Sequence, residues 1–182
     1  LTSVDRDDLS DFGAEHWVKT IQAIRQLNPQ TTLEALIPDF QGKEELIRQV
    51  TDTKPDIVSH NLETVRRLTP SVRSVARYET SLRVIHIIAD SGVTAKSGIM
   101  VGLGETETEV AETMDDLLEN GCQILTIGQY LQPTRKHYPV AAYITPEFAS
   151  YKETALQKGF RLVESGPLVR SSYYAEKQIQ QF

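Results

Sequence analysis

Apolar positions recur at two spacings along this chain, and the alternation between them outlines the fold. Trp17, Ile21, Ile24 and Leu27 fall three or four residues apart and predict an amphipathic helix over 14–27. Leu46, Ile47 and Val50 predict a second over 43–53, the apolar stretch 78–89 a third, and 106–119 a fourth. Between them lie short apolar runs bounded by turn residues: 31–37 ending at Pro38, 55–59, 93–101 and 123–131. These have the length and flanks of buried strands. Leu1–Asp5 is β-like, and a helical turn is expected from Leu62. Gly92, Gly121 and Gly159 each follow a helix and precede a strand-like run, where a C-terminal cap belongs. Their repetition predicts βα units with right-handed crossovers and a parallel sheet.

Beyond Pro133 the pattern changes. Residues 133–139 are polar, basic and turn-like. Thr145 and Pro146 then open a helix to Lys158, a short strand follows at 160–165, and Ser171 or Ser172 starts a last short helix. The expected division is a βα-repeat unit over 1–135 and a C-terminal extension over 136–182, packed on that unit.

Composition narrows the class without naming a function. The chain is 40% apolar and 24% charged over 182 residues, enough to bury a core. No apolar run approaches the length of a membrane span. The net charge of −6 argues against general nucleic-acid binding, which needs a basic face. One cysteine, Cys122, excludes an internal disulfide and fits a reducing compartment such as the cytoplasm, with mitochondrion or plastid as alternatives. It reads as buried and inert.

The most informative stretch is Lys96-Ser97-Gly98-Ile99-Met100-Val101-Gly102-Leu103-Gly104-Glu105-Thr106. Apolar residues lead into glycines, and Thr106-x-x-Glu109 is a capping box opening a helix. A strand, a turn and a helix N-terminus in this order either present backbone N–H groups to a nucleotide or simply build a tight turn. A dinucleotide fingerprint is weak here, because Glu107 stands where its third glycine belongs.

Together with Thr2-Ser3-Val4-Asp5-Arg6-Asp7-Asp8-Leu9, His60-Asn61-Leu62-Glu63-Thr64-Val65, Gly128-Gln129-Tyr130-Leu131-Gln132-Pro133-Thr134-Arg135 and Arg170-Ser171-Ser172-Tyr173, this stretch resembles the lipoyl synthase family of radical S-adenosylmethionine (SAM) enzymes. The five segments occur in the family's order. The resemblance implies an α/β fold: a partial (β/α) barrel of radical SAM type, lacking its first βα unit and carrying a C-terminal helical extension. An irregular edge is therefore expected at the N-terminal strand. Phe12 departs from the pattern, since the family usually reads Asp-Gly-Gly-Ala where this chain has Asp11-Phe12-Gly13-Ala14. The family's two cysteine triplets have no counterpart here, so the chain is expected to be the C-terminal portion of such an enzyme and inactive alone.

By the same resemblance, the cofactors are SAM and two [4Fe-4S] clusters. The reaction is radical sulfur insertion at carbons 6 and 8 of an octanoyl chain carried by a lipoyl carrier protein or lipoyl domain. Gly98, Met100, Gly102 and Glu105 would lie along the SAM adenine, and Asn61 and Glu63 at its ribose. Ser171 would be an oxygen ligand to one iron of the auxiliary cluster. Local readings stand beside these: a core Met100, Asn61 as a helix N-cap, and Ser171 with Ser172 as caps. Arg73 and Arg135 are candidate anion clamps, and His60 reads as a packed histidine. Two alternatives remain, another radical SAM sulfur-inserting enzyme and a non-catalytic barrel binding a nucleotide or the carrier protein.

Overall fold

The computed structural model describes residues 1–173. Its centre is a five-stranded, fully parallel sheet in the order β1-β2-β3-β4-β5, formed by Glu34–Leu36, Ile57–Ser59, Thr94–Val101, Ile124–Gln129 and Leu162–Gly166. Each strand pairs with the next in sequence, and helices provide the crossovers. These are α1 Ala14–Leu27 before the sheet, then α2 Glu44–Thr51, α3 Thr69–Val72, α4 Tyr78–Asp90, α5 Glu107–Glu119 and α6 Glu147–Lys158.

The two faces of the sheet differ in kind. Ala35, Val58, Ala95, Ile99, Val101, Leu125, Ile127 and Val163 join the helices in one apolar cluster. Residues one step along, on the opposite face, are mixed. Ile57, Ile124 and Leu162 close its lower end in a small apolar cluster. Level with Ile124 and Leu162 in the register, Lys96, only 1% exposed, pairs with Glu34 at 2.9 Å, and Ser59 Oγ donates to the same carboxylate. This pair clamps β1 to β3 across β2, and leaving either charge alone would cost about 3–5 kcal/mol. Higher still come Gly98 beside Thr126 and Met100 beside Gly128. Along β4 the side chains on this face shrink from Ile124 through Thr126 to Gly128, and space opens beside Met100.

Most local expectations hold. Thr106 caps α5 through the reciprocal Thr106–Glu109 box. Gly92, Gly121 and Gly159 have φ of 78°, 82° and 120° at helix ends. The irregular N-terminal edge is present: Thr2 makes a single bridge to Leu36, and Leu36 N donates to Leu1 O. Four readings need correction. The stretch from Leu62 is not helical, because Glu63 bridges to Ile99 and spends its N–H on Gly98 and its carbonyl on Met100. Leu1–Asp5 is a bridge rather than a strand. The helix expected at Pro146 begins at Glu147 without a side-chain cap. The segment expected as an extension supplies α6 and β5, and β5 pairs with β4 in the same sheet. Residues 171–173 form a turn, and the short helix expected beyond them lies outside the described residues.

Candidate functional site

Two cavities open at the C-terminal ends of the strands and share Asn61 and Glu63. The larger, about 650 Å³, lies above β1 and β2 and is ringed by Asp5, Asp7, Asp39 and Glu63, with Arg73 and Arg77 opposing them. The smaller, about 250 Å³, lies above β3 and β4 between Gly98, Met100, Thr126, Gly128 and the segment Val169–Ser171.

Asn61 is placed by the loop that leaves β2, not by a helix. Its neighbour Leu62 donates its N–H to Ser97 Oγ. The Asn61 amide donates to Ser171 Oγ at 2.8 Å, joining residues 110 apart in sequence. Its carbonyl oxygen Oδ1 is buried with no hydrogen-bond partner among the described residues. Beside it, a Cβ at Gly98 would stand 2.9 Å from Asn61 Oδ1 and 2.7 Å from Thr126 Oγ1. The missing side chain thus keeps a polar cradle open.

Glu63 has φ of +70°, an unusual conformation for a residue with a side chain. The two backbone bonds to β3 hold it there and turn its carboxylate toward both cavities. Burial pushes that carboxyl up, against the Asn61 amide and Arg73, which pull it down. Burial likewise raises the Asp5 carboxyl, and Asp39 and Asp7 add to it by like-charge repulsion.

Arg73 is anchored through a buried chain that sequence reasoning did not find. His60 Nδ1 lies 3.0 Å from Ile37 O, which can only accept, so Nδ1 carries the proton. Nε2 then accepts from Ser81 Oγ at 3.0 Å, and that oxygen accepts from Arg73 at 2.9 Å. Burial lowers the His60 pKa to about 4, so the ring is neutral at pH 7. This supports the packed reading of His60. Asp39 and Thr126 were also missed; their only sequence signal is a place just past or within an apolar strand.

The predicted site residues divide. Asn61, Glu63, Gly98, Met100 and Ser171 are brought together. Gly102 and Glu105 line neither cavity. A Cβ on Gly102 would meet Gln129 Nε2 at 2.3 Å and Ala142 O at 2.4 Å, so the chain's own loop fills that space. Glu105 spends its carboxylate on the N–H groups of Gly102 and Leu103. The start of α5 is likewise satisfied internally, with Glu109 held by Arg67. Arg135 is exposed on a loop outside both cavities.

Among the described residues, no three His, Cys, Asp or Glu side chains could together hold a metal ion. Cys122 is buried, its thiol pushed up to about 12 by that burial. The described residues therefore do not by themselves fit an iron–sulfur cluster, which takes several thiolates. They do fit a polar nucleoside-like ligand: an orphaned acceptor, carboxylates and a small-residue cradle. No helix among them is long and apolar enough to cross a membrane.

Residues 1–117 match the radical SAM superfamily. The chain is 70% identical over 181 residues to the lipoyl synthase of Bacteroides fragilis, covering 99% of this chain and 63% of that protein. It is 69% identical over 181 residues to that of Phocaeicola vulgatus (99% and 64%) and 61% identical over 180 to that of Treponema denticola (98% and 62%). It thus spans somewhat less than two-thirds of the length of these curated relatives. In fold it is similar to a domain of the Bacteroides vulgatus pyruvate-formate lyase-activating enzyme (TM-score 0.64, 11% identity, 91% of this chain, 98% of that one). It also resembles methylornithine synthase (TM-score 0.60, 10% identity, 82% and 51%).

Proposed function

The chain belongs to the radical SAM superfamily, and from that premise we propose that it does the work of a lipoyl synthase: sulfur insertion at carbons 6 and 8 of an octanoyl chain borne by a carrier protein. The observation that carries this is identity of 61–70% to proteins of that name across 98–99% of the chain. The same identity favours this reading over another sulfur-inserting enzyme. The relatives are bacterial, and a cytoplasmic setting belongs to the same proposal.

In this reading Asn61 Oδ1 accepts from a hydroxyl of the SAM ribose, and the Glu63 carboxylate binds beside it. Gly98 lets the nucleoside lie on β3, and Met100 supplies apolar contact to the base. When bound, SAM supplies the radical chemistry. The protein's residues hold the nucleoside and limit access of water from one side. Arg73, fixed by Ser81 and His60, offers a cation at the larger cavity for a carboxylate. Gly102 and Glu105 act here by shaping the loop after β3 rather than by touching the ligand. Ser171 is proposed as the oxygen ligand of the auxiliary cluster in a whole enzyme, with the Asn61 amide holding its hydroxyl in place beforehand.

A chimera tests the proposal. This chain replaces the matched 181-residue segment of the Bacteroides fragilis lipoyl synthase, and lipoylation of an octanoylated carrier domain is followed by mass spectrometry. Lipoyl product at a rate within about tenfold of the parent supports it. A folded, iron-loaded chimera that makes none overturns it.

A further inference from the structure

The acids and bases of this chain are not mixed evenly, and the imbalance falls at the site. The larger cavity is ringed by acids. By contrast, no acidic residue occurs between Glu119 and Glu147, or between Glu164 and Glu176, although the chain as a whole carries a net charge of −6. Those two acid-free segments form one rim of the smaller cavity, which Leu131 lines from the first and Val169 and Arg170 from the second.

The first segment leaves the cavity at Leu131 and presents Arg135 and Lys136, both exposed and in no ion pair among the described residues. Its shape is fixed from within. Gln132 Nε2 donates to His137 O at 2.8 Å, His137 N donates to Thr134 O at 3.0 Å, and Tyr130 OH donates to Tyr138 O at 2.7 Å. Gln129 and Gly102 then tie the chain beyond it to β3 and β4. The cations therefore project from an ordered turn. Two apolar side chains of these segments are exposed, Leu131 at 50% and Leu168, next in sequence to the cavity-lining Val169, at 75%. Exposed leucines and unpaired cations on the same two acid-free segments, in an otherwise acidic molecule, suit a protein-binding rim.

We propose that this rim, formed by Leu131, Arg135, Lys136, Leu168 and Arg170, is the docking surface for an acidic protein, the carrier that presents the acyl chain at the mouth of the site. The inference rests on the proposed function for the identity of that carrier and adds where and by what chemistry it is held. Its cations steer an acidic surface toward the cavity mouth, and the leucines supply apolar contact once water is displaced. A nucleic acid could use the cations, but it would leave the two leucines without a role.

The test is binding of an octanoylated acidic carrier domain to this chain, read by biolayer interferometry at 50 and 300 mM salt. Wild type should bind and weaken severalfold or more with salt. Arg135→Glu/Lys136→Glu should weaken binding at least tenfold at low salt and flatten the salt dependence. Leu168→Ser should weaken it while leaving the salt dependence in place. Both changes are at exposed positions, and circular dichroism confirms that the variants fold. Carrier domains with acids changed to lysine should recover affinity for the double variant. The proposal is overturned by three results: no binding by wild type, equal binding by the double variant, or stronger salt-dependent capture of polyuridylate than of the carrier. Failure of the functional reading looks different, since a chimera that binds the carrier and forms no lipoyl product leaves the docking surface standing.

Discussion

The Asn61 amide divides its two ends between the fold and the cavity. Nδ2 reaches Ser171 and pins the C-terminal segment, while Oδ1 is buried and unspent beside Gly98. An unsatisfied buried carbonyl costs about 1–3 kcal/mol, a cost that a donor on the ligand removes. Gly98→Ala tests this at a single atom. The new methyl would stand under 3 Å from both Asn61 Oδ1 and Thr126 Oγ1, so one of them must move. SAM affinity, measured by calorimetry, should fall at least tenfold, and Cys122→Ala, out of reach in the core, should leave it unchanged. Equal affinities for Gly98→Ala and wild type would remove the cradle from the site. At this scale Asn61, Glu63, Gly98 and Met100 were legible through the family resemblance, Asn61 and Glu63 just past the apolar strand β2 and Gly98 and Met100 within β3. Gly102 and Glu105 looked equally promising, since a glycine with positive φ reads the same whether a ligand or the chain's own loop fills the space. Arg73, Ser81 and His60 could not be linked from sequence, because their hydrogen bonds join three separate elements.

At the level of elements, the start of α1 shows how a departure from the family's pattern is accommodated. Phe12 and Gly13 both adopt positive φ, 52° and 85°, turning the chain so that the Asp11 carboxylate accepts from the N–H groups of Gly13 and Glu15. Those bonds hold the Asp11 carboxyl below the usual range. Phenylalanine pays roughly 1 kcal/mol for that backbone relative to glycine. In return its partly buried ring packs on the core, and the Lys43 ammonium lies 4.5 Å from its centre. Ring burial and the cation–π contact together contribute roughly 2–3 kcal/mol. Phe12→Gly should therefore destabilise by about 1–2 kcal/mol in urea unfolding despite relieving the backbone. A more stable variant would show that backbone strain outweighs the packing. Helices and strands were legible because periodicity is local. The stretch after β2 was not, because pairing of Glu63 with β3 depends on a strand more than thirty residues away.

For the molecule as a whole, His60 ties β2 to the loop after β1 and to α4, and its burial makes stability depend on pH. The groups facing it are Ile37 O, Ser81, Arg73 and, through space, Asp39. In the folded chain the ring gains a proton only near pH 4, whereas in the unfolded chain it does so near its ordinary 6.5. Between those values the unfolded state binds the extra proton. The stabilising effect of neutral His60 is therefore complete above about pH 6.5 and is lost as pH falls toward 4. The raised Glu63 and Asp5 carboxyls act in the opposite sense, since the folded state takes up their protons first. Comparison with His60→Gln, which cannot titrate, cancels these terms. The variant should be less stable than wild type at pH 7.5, because it loses shape and one hydrogen bond in the core. That gap should shrink by roughly 2–3 kcal/mol by pH 4.5. Urea midpoints for both proteins at the two pH values decide it. If their stabilities fall in parallel, the buried ring is not the group that takes up the proton, and the anchoring of Arg73 through a neutral His60 fails with it.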